Sequence, residues 1–139
     1  MIILEQKGLD QKVFSFAELG VNTEGLTIVA SNDTIANKKD LVARLVRATL
    51  KAMEATKADP DAAVAAAIKA RPDADKALVK AQLLASLKLV PSPVAPNLPL
   101  GEMAPADWQR TLDLMKTYQD VSTTQPAEAF YTNEFVAKK

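Results

Sequence analysis

Residues 20–31 read Gly20-Val21-Asn22-Thr23-Glu24-Gly25-Leu26-Thr27-Ile28-Val29-Ala30-Ser31. A polar turn bracketed by two glycines feeds a short apolar run. The glycines predict positive φ where the chain changes direction. In Leu26–Ala30, Ile28 and Val29 are β-branched, and such a run suits a strand covered on both faces, as in a parallel or mixed sheet between helices. Asn22, Thr23 and Glu24 then present polar side chains and backbone amides at a strand end, where small-ligand clefts of open α/β sheets are built. They are the candidate ligand-binding residues.

Working outward, Lys12–Ala17 alternates weakly and is rich in aromatic and branched residues, which predicts a second strand. No further strand is readable. Two strands alone are marginal in water, so the sheet is expected to be completed by residues outside these 139. Upstream, Gly8 is placed as the residue just past a helix end, making the first residues the tail of a helix.

Downstream the pattern is helical. Ser31–Thr34 offers capping side chains for a short turn over 33–37. A long helix is predicted from about Lys38 to Lys57, with Leu41, Val42, Leu45, Val46, Thr49, Leu50 and Met53 on one stripe. Asp59-Pro60 opens another to Ala70, with Asp as cap and Pro at the first helical position. Residues 75–88 form the next, with Leu78, Val79, Leu83, Leu84 and Leu87 on its apolar side. Five prolines between Val90 and Pro105 forbid regular helix. Val94, Leu98, Leu100 and Met103 make that segment an ordered surface stretch rather than a tether. Pro105 opens a helix to about Gln119, carrying Trp108, Leu112 and Met115. A short helical tail is expected over 126–139, with Phe130 and Tyr131 docking the C-terminus.

Composition narrows the function. The 139 residues suffice for one domain, and 17 basic against 17 acidic residues leave no net charge to favour nucleic acid or anionic lipid. The chain lacks Cys and His, which removes thiol nucleophiles, imidazole bases and the usual zinc ligand sets. No apolar run is long enough to span a membrane. Ser15, Ser31, Ser86, Ser92 and Ser122 lie outside any Gly-x-Ser-x-Gly context. Asp59, Asp61, Asp73 and Asp75 lack calcium-loop spacing and read as helix-start residues. Gly20 and Gly25 form no phosphate-binding fingerprint. No catalytic residue, metal site or cofactor is expected.

The order of features then becomes diagnostic. Leu19–Ser31 is followed by Thr34–Val42, Leu45–Lys51 and Ala58–Val64. Further on come Trp108-Gln109-Arg110-Thr111-Leu112 and Tyr131-Thr132-Asn133-Glu134-Phe135. From about Val13 onward the series resembles the C-terminal half of ABC-importer solute-binding proteins of the nitrate/sulfonate/taurine and thiamine-pyrimidine-precursor superfamily. The resemblance implies an α/β, two-lobed, Venus-flytrap periplasmic-binding-protein fold (type II), mostly helical in this part, with a ligand cleft between lobes. Residues 1–25 would end one lobe and cross over, and 26–139 would form the C-terminal part of the other. Met1 would be internal, or a start added to a truncated chain, with an export signal upstream.

The implied partners are a small organic or oxyanion solute and an ABC permease in the membrane, with the full protein periplasmic or a cell-surface lipoprotein. Many relatives carry an aromatic where Thr23 or Glu24 stands; here the turn is small and polar. The related pyrimidine-precursor synthases need histidine and cysteine-rich motifs that this chain lacks, so no catalytic role is transferred. Two other readings stand beside it: a stand-alone helical interaction domain, and an enzyme of the synthase kind whose catalytic groups lie upstream. An exposed edge at Leu26–Ala30 is expected to self-pair or exchange between copies.

Overall fold

Most of the described helices begin where a side chain or a proline satisfies the first turn. The computed structural model describes residues 2–16, 18–21, 23 and 25–136. Helix α1, Ile2–Gln6, ends in a paired lock: Gly8, at φ 73°, donates its N–H to Glu5 O, and Leu9 donates to Leu4 O. Those two bonds define a glycine-terminated helix end, as the position of Gly8 predicts. Helix α2, Asn32–Asn37, is capped by Ser31, whose hydroxyl accepts from Thr34 N at 3.1 Å. Helix α3 runs Lys39–Ala58. Helix α4, Pro60–Ala70, starts on the Asp59 cap with Pro60 in its first turn. The Asp75 carboxylate caps α5, Lys76–Leu87, accepting from the N–H groups of Ala77 and Leu78. Helix α6 spans Pro105–Gln119 and stops at Asp120, which adopts the left-handed conformation at φ 54°.

The α/β expectation is corrected here. Among the described residues there is no strand. Residues 12–16 and 26–30 are irregular rather than strand, and Ala17, the last residue of the first expected strand, lies outside the described residues. The cause is the one the sequence raises: a strand is stabilised by neighbours, and a short apolar run without paired neighbours is marginal in water. The expected helical tail also fails. Among the described residues of the tail only Ala127–Ala129 coils, as a 3-10 turn, before the chain opens out through Phe130 and Tyr131. Gly25 does not take positive φ, unlike Gly20 at φ 78°.

The chain divides into two compact units, with α3 contributing to both. One unit comprises Met1–Ser15 and Lys51–Val90. In it α5 packs against α4 and α1. Val64 of α4 is completely buried and is the largest side chain so placed. Lys80 of α5 reaches Asp61 of α4 at 2.7 Å and holds that carboxyl below the usual carboxylate range, chiefly through the hydrogen bond and then through its charge.

The other unit comprises Phe16–Leu50 and Pro91–Lys139. Its centre is α6 with the C-terminal segment laid against it. Trp108 stacks on Tyr131, with ring centroids 5.5 Å apart, and on Phe130 at 6.5 Å. Asn133 exchanges two hydrogen bonds with the Met103 backbone, accepting from its N–H and donating to its carbonyl, each at 3.0 Å. Trp108 Nε1 donates to the Met103 sulfur. The aromatic docking expected of the tail therefore forms without a helix to carry it. Ser92 pins the proline-rich stretch: its hydroxyl donates to the buried Asp107 at 2.6 Å and accepts from the N–H groups of Val94 and Ala95.

Candidate functional site

The candidate site grows from the turn that precedes residue 23. Leu19 and Val21 both donate their N–H to Phe16 O, closing a tight turn around Gly20. The left-handed Gly20 costs little there because it has no Cβ. Its carbonyl accepts a hydrogen bond from Arg110 Nη2 of α6, joining residues 90 apart in sequence. That bond fixes the turn over the middle of α6.

Immediately beyond it, Val21 and Thr23 form one wall of an open groove of about 270 Å³, and Thr111, Leu114, Met115, Tyr118 and Gln119 form the other. The five α6 residues recur at three- and four-residue spacing and share one helix face. Trp108 and its aromatic neighbours belong to the tail contact, so α6 serves two faces at once.

The lining is mostly apolar, with hydroxyl and amide groups at intervals. The Thr111 hydroxyl donates to Asp107 O at 2.9 Å. Tyr118 is 78% exposed and offers a free ring face. The guanidinium of Arg110 donates to the Gly20 carbonyl. The arrangement is suited to holding a small molecule by apolar contact and neutral hydrogen bonds.

Of the three residues expected to face a ligand, Thr23 lines the groove. Asn22 and Glu24 lie outside the described residues. The sequence reading names no residue of α6 for the site: it sets Met115 on one apolar stripe with Trp108 and Leu112, whereas in the structure Met115 lines the groove with Thr111, Leu114 and Tyr118, whose three- and four-residue spacing is the signal for that face. The acidic residues considered for a metal are otherwise engaged: Asp59 and Asp75 cap helices and Asp61 pairs with Lys80. Among the described residues no group of acidic side chains is arranged to hold a metal ion. Ser92 meets an acid, but its proton and lone pairs are all used in the loop it holds.

Residues 1–63 match the family model described as NMT1/THI5 like. The match takes in α1, the Gly20 turn, Thr23, the irregular 26–30 segment, all of α2 and α3 and the start of α4. It bears out the resemblance to the superfamily of nitrate, sulfonate, taurine and thiamine-precursor binding proteins over that part of the chain, and it points to a solute-binding role in general. The Trp108 and Tyr131 motifs lie outside it. Neither the curated proteins nor the solved structures give a match. Among the described residues no helix is long and apolar enough to cross a membrane.

Proposed function

We propose that this chain is part of the solute-binding component of an ABC importer. The observation that carries the reading is the NMT1/THI5-like match over residues 1–63, which includes the turn that walls the groove. On this reading residues 1–25 end one lobe and cross between lobes, and residues 26–139 are the C-terminal part of the other. The whole protein closes two lobes over a small organic or oxyanion solute. Closure needs only a few strand-end residues to change φ and ψ, and ligand contacts across the cleft bias it.

Asn22, Thr23 and Glu24 contact the solute, with the α6 face from Thr111 to Gln119 as the supporting wall. The role is capture rather than chemistry, and the partner is a membrane permease. The protein then works outside the cytoplasmic membrane, in the periplasm or as a surface lipoprotein.

The test is calorimetric titration with nitrate, taurine and a 4-aminopyrimidine, repeated on Asn22→Ala, Thr23→Ala and Glu24→Ala variants. The reading expects saturable binding of one of the three probes and at least a tenfold loss in one of the variants, equivalent to about 1.4 kcal/mol. Binding that is indifferent to all three substitutions removes the turn from the site.

The all-helical described fold favours one other reading, a helical protein-interaction domain. The same titrations separate the two, because an interaction domain has no reason to bind any of the small probes.

A further inference from the structure

We propose that Arg110 is the positioning residue of the groove: it holds Val21 and Thr23 opposite the α6 face without itself lining the space between them. Its effect on solute affinity rests on the solute-binding reading, while its effect on the wall does not.

The first observation is that the turn buries little of its own surface. Phe16 is 76% exposed and Leu19 65%. The hydrophobic gain scales with the area removed from water, so these two side chains do little to seat the turn. The second is where its hydrogen bonds go. The N–H groups of Leu19 and Val21 both return to Phe16 O, which shapes the turn without placing it on anything. The Gly20 carbonyl instead accepts from Arg110 Nη2 on α6. A guanidinium is a stronger donor than a neutral group, and its planar fork sets direction as well as distance.

The third observation is where that bond lies. Arg110 is not among the residues that line the groove, but Thr111, the next residue of α6, is. Successive helix residues point about 100° apart, so one turn of α6 can grip the chain with one side chain and face the groove with the next. On the other side, Val21 follows the gripped carbonyl directly and lines the opposite wall. The bond therefore stands one residue from the groove on both walls. A turn released from α6 faces the solute in only a fraction of molecules. The apparent affinity then falls by that fraction, while the contacts of the bound state are unchanged.

NMR on the full chain, unmodified and as Arg110→Met and Arg110→Lys, tests it. Methionine keeps an unbranched helix former and removes the donor, while lysine keeps a charged donor. Backbone order parameters at Leu19, Gly20 and Val21 are expected near the rigid value of about 0.85 in the unmodified chain and the lysine variant, and below about 0.6 in Arg110→Met. Contacts between Trp108 and Tyr131 are expected to persist in all three, showing that α6 and the tail stay folded. Nitrate, taurine and a 4-aminopyrimidine are then titrated into each. The probe that binds the unmodified chain is expected to bind Arg110→Met roughly tenfold more weakly, yet to reach the same shifts at Thr23 and Thr111 at saturation. Arg110→Lys is expected to bind it close to normally. A turn that stays rigid in Arg110→Met overturns the proposal. So does unchanged affinity with a loosened turn, or a different saturated spectrum at Thr111, which marks a lost direct contact instead. Failure of all three probes to bind the unmodified chain counts against the solute-binding reading alone, and the order parameters then decide the role of Arg110.

Discussion

Gly101 shows how much one residue's backbone decides. Its φ of 87° is a conformation that side chains rarely adopt, and a Cβ built there collides with the Leu50 side chain. Gly101→Ala therefore meets both strain and overpacking, and is expected to lower stability by about 2–4 kcal/mol, read from the urea midpoint. Nothing in the local sequence marks Gly101 more strongly than Gly25, yet Gly25 needs no unusual φ. The difference lies in Leu50, far away in sequence, which sequence reading cannot bring near. Arg110 teaches the same lesson from the other side. It reads as an ordinary helix-surface cation, while its contact with the Gly20 carbonyl ties the turn to α6.

At the scale of elements, the helices were legible because their signals are local. Asp59-Pro60, Asp75 and Pro105 announce helix starts through their own side chains and rings, and Gly8 announces an end. The strands and the tail were misread because their stability is not local. Residues 26–30 have strand composition without a strand neighbour, and the tail is anchored by Tyr131 stacking on Trp108 and by Asn133 bonding the Met103 backbone. Asn133→Ala removes two part-buried bonds to Met103, for an expected loss of about 2 kcal/mol. The first sign is faster proteolysis after the 3-10 turn, followed by mass spectrometry.

Between α4 and α5, the Lys80 ammonium lowers the Asp61 pKa from its ordinary 3.8. A depressed carboxylate contributes stability above that ordinary value and loses it as pH falls through the folded-state pKa. The pair is exposed, so the effect is small and weakens with salt. Lys80→Met is expected to raise the Asp61 titration, followed by carboxyl-carbon NMR, and to weaken this acid-side pH dependence.

For the whole molecule, what matters is that a polar turn is fixed on one helix and leads into an unpaired apolar segment. The NMT1/THI5-like match spans both, and the groove gives the turn something to do. Much of the site is hidden in the sequence for a physical reason: Thr23 and the α6 wall are some ninety residues apart in the chain and lie together where the Gly20 carbonyl accepts from Arg110. The central claim is that this turn and this helix face bind a small solute. Nitrogen–proton correlation NMR of the labelled chain, titrated with nitrate, taurine and a 4-aminopyrimidine, tests it residue by residue. The account predicts saturable shifts for one of these probes, clustered at Val21, Thr23, Thr111, Met115 and Tyr118. An absence of saturable shifts for all three probes, or shifts that avoid this cluster, would contradict it.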